Sequence, residues 1–171
     1  MQCTTAGKIA AAALLAWLAS AVPAGAADTP FAAEGTRLSI FAGSASAFDR
    51  QYTLLGFGVG YFVADGVEAG LDAEFWTGNS PAIEQVSPQI RYIMRTGGSV
   101  NPYVGAFFRE TFIRNYGNRE TVGSRAGIYV QQGDRFYFGV GLAGEVHVRC
   151  DRTVYSSCVE AYPEILFAVV F

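Results

Sequence analysis

The chain has 171 residues, enough for one domain, and its 51% hydrophobic and 16% charged content lies on the apolar side of an ordinary soluble protein. Twelve basic residues against fifteen acidic ones leave a net charge of −3, so no nucleic-acid partner is expected. Past the N-terminus no run of about 18 apolar residues occurs, which argues against a helical membrane span.

The first residues read as a secretory signal peptide over residues 1–27. Lys8 gives a short positive start, residues 9–21 form an apolar core with Leu14, Leu15 and Trp17, and Ala24-Gly25-Ala26-Ala27 offers a small-residue cleavage region, with the cut expected between Ala24 and Asp28. An anchoring apolar helix is the competing reading, disfavoured by the short, Ala-rich core. Residues 28–171 then form one domain. Lys8 is the only lysine, so apart from His147 every basic group after the leader is arginine, which suits buried ion pairs; a GC-rich genome would produce the same bias. Cys3 goes with the leader. Cys150 and Cys158 remain, and in an oxidising compartment a disulfide is the default for two nearby cysteines. Closing so short a loop stabilises by about 2–3 kcal/mol in the chain-entropy model. Two thiols with no further Cys or His beside them make a poor metal site, and neither a metal nor a cofactor is expected.

In chain order the domain reads as a meander of about eight strands. The candidates are residues 36–45, 51–63, 67–76, 84–95, 102–114, 121–131, 136–149 and 159–171. Ala64-Asp65-Gly66 is a tight hairpin signal, and Thr96-Gly97-Gly98-Ser99 and Gln132-Gly133-Asp134 are turns. Connections after even strands look tight and those after odd strands longer, as in barrels with short turns at one rim and loops at the other. Pro88 and Pro163 cannot donate to a ladder, so bulges or weak pairing are expected there.

Alternate residues of a strand face opposite sides. In the last strand Ile165, Phe167, Val169 and Phe171 share one face, while Glu160, Tyr162, Glu164 and Leu166 share the other. The third and seventh strands sort in the same way: Val67, Ala69, Leu71, Ala73 and Phe75 oppose Glu68, Asp72 and Glu74, and Phe138, Val140, Leu142 and Val146 oppose Tyr137, Glu145 and His147. Parity alone leaves open which face is inside. Aromatic residues of the apolar parity, Tyr61, Tyr92, Phe136 and Phe171 near one rim and Phe75 and Phe112 near the other, with Phe138 and Phe167 between, form two belts around an aliphatic band, as a bilayer requires. The fold class expected is therefore all-β, an eight-stranded antiparallel up-and-down transmembrane barrel. Its lumen would hold Glu68, Asp72, Glu74, Arg91, Arg109, Arg125, Glu145, His147, Glu160 and Glu164, either paired in a nearly dry network or hydrated without fixed partners. No wide pore is expected.

The run Leu55-Gly-Phe-Gly-Val-Gly-Tyr-Phe-Val-Ala-Asp-Gly66, then Ser87-Pro-Gln-Ile-Arg-Tyr92 and Asn101-Pro-Tyr-Val-Gly-Ala106, resembles the small outer-membrane β-barrel family that includes OmpX, OmpW and the barrel domain of OmpA. The likeness covers nearly all of residues 28–171. It implies a protein of the bacterial outer membrane, contacting lipid and lipopolysaccharide, assembled by the barrel-assembly machinery and monomeric, with Phe171 as part of the assembly signal. Nothing resembles the peptidoglycan-binding domain of full-length OmpA. The family implies no single activity, since similar barrels serve as scaffolds, adhesins, conduits and enzymes. A structural or surface-interaction role is expected, with loops 46–50, 77–81, 115–120 and 150–158 as the places for a partner.

Gly139-Val-Gly-Leu-Ala-Gly144 satisfies G-x-G-x-x-G but lies in a strand with no helix following, so it cannot cradle a phosphate. A small-solute channel and a secreted ligand-binding barrel remain open. So does a lipid A-modifying enzyme, in which His147, the sole histidine, would be the base and Glu145 its orienting acid. No serine stands at the spacing of the barrel deacylases and the ring faces the lumen parity, so no catalytic role is expected.

Overall fold

A computed structural model describes residues 30–148, 150 and 157–171; the expected leader lies outside the described residues. Eight strands run β1 (Thr36–Ala47), β2 (Arg50–Ala64), β3 (Val67–Thr77), β4 (Ile83–Ile93), β5 (Val100–Ile113), β6 (Gly117–Gln132), β7 (Phe136–His147) and β8 (Val159–Val170). Each pairs antiparallel with the next, and β1 pairs with β8 to close the barrel. Period-2 patterning carries through every strand, as in β4, where buried and exposed residues alternate without a break.

The connections β2–β3, β3–β4, β6–β7 and β7–β8 follow the expected short-and-long scheme, and the other three depart from it. The first surface loop shrinks to a two-residue turn, Phe48-Asp49, with φ of 53° and 56°. Positive φ at both positions is the mirror-image turn that matches strand twist. Conversely, the connection from β4 to β5 spans residues 94–99, longer than a tight turn, and is organised by side chains. There Thr96 Oγ1 donates to the Val100 carbonyl at 2.7 Å, and Asn101 Oδ1 accepts from the Thr96 amide at 3.1 Å. Most of the expected loop at 115–120 belongs to β6. Turn composition misleads here because a ladder can extend through polar residues once its register is set.

Neither proline makes a bulge. The β4–β5 ladder keeps its register but skips Ser87 and Pro88, resuming at Gln89 opposite Phe107. The β1–β8 ladder ends at Gly43 opposite Glu164, one residue short of Pro163, which has no amide proton to continue it. Cys150 and Cys158 form a disulfide across the β7–β8 connection.

Outward positions are apolar and exposed: Ile40 and Leu142 are each 64% accessible, and Phe57, Leu71, Ile90 and Val140 belong to the same band. Tyr61, Phe75, Tyr92, Phe112, Phe136, Phe167 and Phe171 are exposed on it, and Phe138 is half-buried opposite Phe167. Inside, three layers stack along the axis. At the turn end Phe31, Phe62, Ile93, Tyr103, Tyr129 and Tyr137 pack together, and at the loop end Tyr52, Leu54, Trp76, Ile83 and Ile113 do so. Charged groups fill the space between.

Phe31 precedes every strand yet is 1% exposed. Its ring lies 5.0 Å from that of Tyr137 and 6.0 Å from that of Tyr129. Its carbonyl accepts from the Gly66 amide at 2.9 Å, while Ala33 donates to Asp65 Oδ1 at 2.9 Å. That amide, together with Arg95, holds the Asp65 carboxyl below its ordinary pKa.

Interior glycines give the long arms their space. A Cβ at Gly58 would collide with Asp72 Oδ1 and lie 2.8 Å from Ser39 Oγ, and one at Gly123 would enter the Phe107 ring. Gly58→Val should therefore destabilise the refolded barrel by about 1–3 kcal/mol in urea unfolding. Gly98→Ala at the turn rim, where a Cβ would meet only Thr96 Oγ1 at an ordinary 3.7 Å, should stay within about 0.5 kcal/mol.

Candidate functional site

The interior charge layer is built by residues of one parity from seven strands. Arg37 on β1 stands opposite Gly60 on β2, and that missing side chain lets the guanidinium reach β3, where Nε meets Glu68 Oε1 at 2.9 Å. Arg37 also donates to Ser39 Oγ and approaches Asp72 Oδ1 at 3.5 Å. Asp72 is the hub. Its Oδ2 takes Arg91 Nη2 at 3.1 Å and Arg125 Nη1 at 3.3 Å, so three cations converge on one carboxylate. Arg91 donates to the Tyr129 hydroxyl at 3.0 Å, and Arg125 lies 3.5 Å from Glu164, which accepts from Tyr103 at 3.0 Å.

A second group centres on Arg109. Its Nη2 meets Glu74 at 2.6 Å, Nη1 meets Glu145 at 2.7 Å and the Tyr162 hydroxyl at 2.6 Å, and Nε meets Ser87 Oγ at 3.0 Å. The Arg109 and Arg125 guanidinium carbons lie 4.7 Å and 4.8 Å from the Phe107 ring centroid. Phe107 thus supplies a π face to both cations. All four arginines and Glu68, Asp72, Glu74 and Glu145 are almost fully buried.

His147 and Glu160 lie at the loop end of this layer. Thr121 Oγ1 sits 3.0 Å from His147 Nδ1, and Glu160 lies opposite Glu145 in the β7–β8 register. No described ion pair or hydrogen bond holds the Glu160 side chain, and its Oε1 is buried. The ten charged or titratable residues selected by parity all point inward, but they divide into the Asp72 group, the Arg109 group and this rim group.

Sequence reasoning missed Arg37, although its parity with Ser39 on β1 carried the signal. It also missed the neutral partners Tyr103, Tyr129, Thr121 and Ser87, and placed Tyr162 on the charged face without its partner Arg109, because these roles come from cross-barrel distances. Phe31 had no periodic signal at all.

A buried arginine shared by two carboxylates is costly to remove, because both anions lose their compensation in a medium of low dielectric. Arg109→Met should cost about 3–5 kcal/mol in urea unfolding. Adding Glu74→Gln and Glu145→Gln to it should recover much of that loss, since the uncompensated charges are then gone.

No protein-family model matches the chain, and no curated protein does. Among solved structures it is similar to the N-terminal β-barrel domain of Pseudomonas aeruginosa OprF, at 19% identity and a TM-score of 0.66, over 81% of this chain and 98% of that one. Neisserial surface protein A is similar at 14% identity and a TM-score of 0.61, over 80% and 96% of the two chains. The outer membrane protein OprG of Pseudomonas aeruginosa is similar at 12% identity and a TM-score of 0.50, over 84% and 98%. At these identities the likeness speaks for architecture: the chain has the fold of the small eight-stranded outer-membrane barrels.

Proposed function

We propose that this is an integral protein of the bacterial outer membrane, exported by a leader over residues 1–27, with a structural or surface-binding role and no wide pore. One observation carries the reading: the apolar parity of the closed sheet faces out and the ionic parity faces in. Water would penalise that arrangement and hydrocarbon rewards it. Tyr61, Tyr92, Phe136 and Phe171 at the turn rim, and Phe75 and Phe112 at the loop rim, mark the two interfaces of the bilayer. On the same outer face Glu84, Glu110 and Glu120 appear only towards the loop end, at the level of lipopolysaccharide head groups.

The arginine–carboxylate layer, bounded by the Phe31 cluster and the Trp76 cluster, fills the lumen and excludes a stream of ions. An eight-stranded barrel leaves an interior only wide enough for side chains. Phe171 caps the terminal strand and exchanges two backbone hydrogen bonds with Thr36, both 3.0 Å. The assembly machinery would read this end, and the finished barrel works as a monomer. Partners bind at the small surface of residues 48–49, 78–82, 114–116 and the disulfide connection.

His147 is not a lipid-hydrolysing base in this reading. The hydroxyl beside it, Thr121, is 1% exposed and faces the lumen, away from acyl chains.

Membrane fractionation tests the proposal. The protein should require detergent for extraction and show heat-modifiable gel mobility, and refolded protein in planar bilayers should conduct far less than a general porin. Recovery in the soluble periplasm, or porin-sized conductance, would overturn it. Val140→Arg, placing a charge in the outward band, should destabilise the lipid-inserted barrel by about 2–4 kcal/mol while Val159→Arg at the loop rim costs about 0–1 kcal/mol.

A further inference from the structure

We infer that Glu145, His147 and Glu160 form a binding site for a divalent metal ion of the zinc type at the loop end of the lumen. Ligand atoms of the three side chains lie within 4.8 Å of one another. Donors on one zinc ion stand about 3.4 Å apart, as metal–ligand bonds of about 2.0–2.2 Å in a tetrahedron require, so small side-chain rotations close the set. An imidazole with two carboxylates suits zinc better than calcium or magnesium, which prefer oxygen donors alone.

The surroundings argue for a cation. Glu145 and Glu160 are directly opposed across the β7–β8 ladder, and like charges in that position repel. Glu145 has Arg109 at 2.7 Å, whereas among the described residues no arginine pairs with Glu160, whose Oε1 is buried without a hydrogen-bond partner there.

Supporting contacts around the three donors are also in place. Thr121 Oγ1, 3.0 Å from Nδ1, can orient the imidazole so that Nε2 serves as ligand, and Arg109 on one oxygen of Glu145 leaves its other oxygen for the ion. The His147 amide donates to the Cys158 carbonyl at 3.1 Å, so one half of the disulfide is tied to the strand end that carries His147. Three protein donors leave a coordination position for water.

The inference goes beyond the membrane reading and does not depend on it, because the site belongs to the barrel wherever the barrel resides. The test uses untagged protein without its leader, refolded in detergent, freed of metal with a chelator and titrated with zinc chloride by calorimetry. One zinc per barrel should bind with micromolar or tighter affinity, the thermal midpoint should rise with zinc concentration, and X-ray absorption should show nitrogen and oxygen ligands without sulfur. Glu160→Gln and His147→Ala should each weaken binding at least tenfold. Metal-free Glu160→Gln should unfold at or above the wild-type temperature, since a like-charge contact has gone; that result also proves the variant folded. Absence of saturable zinc binding below millimolar concentration would overturn the site, and so would binding that survives both substitutions.

Discussion

Between residues 37–43 of β1 and 164–170 of β8, one ladder turns an eight-stranded sheet into a cylinder without edges. Closure satisfies the backbone amides of that seam and also locks parity. A slip of one residue would exchange the two faces of a strand, carrying Arg37 or Asp72 to the apolar exterior and Ile40 or Leu71 into the charged layer. Register and charge placement therefore support each other. The polar interior is less a source of net stability than a penalty against every other register.

The same reasoning explains the layering. Buried guanidiniums and carboxylates offset their desolvation only when geometry is good and lone pairs are filled. Here Asp72 gathers Arg37, Arg91 and Arg125, and Arg109 gathers Glu74, Glu145 and Tyr162. Aromatic clusters above and below keep the layer away from bulk water, which strengthens each contact and raises the cost of losing one. Glycine on the facing strands is part of this design, because a Cβ at Gly60 would occupy the space of the Glu68 carboxylate.

Strand number, parity and the exposed aromatic residues were legible because each is written in period-2 repetition within a few residues. Strand ends were less so. Phe48-Asp49 closes a hairpin with two residues in the left-handed region, and neither has the glycine that usually marks such a turn. The six-residue connection from β4 to β5 looked tight because of Gly97 and Gly98, whereas the hydrogen bonds of Thr96 and Asn101 shape it. The grouping of charges was not legible at all. Arg109 is 36 positions from Glu145 and 53 from Tyr162, and only the curvature of the wall brings them together. Glu160 and His147 likewise come from different strands with a disulfide loop between, so no spacing rule joins them.

Phe31 has a consequence for how the cylinder is sealed. It is supplied by a segment outside the strand order, held through Gly66, Asp65 and the rings of Tyr129 and Tyr137. It packs against the inner wall without being part of it, since no ladder of the sheet runs through residue 31. The turn end of the lumen is thus completed by a ring from outside the wall, added to an interior that the arginine–carboxylate layer and the Trp76 cluster already occupy.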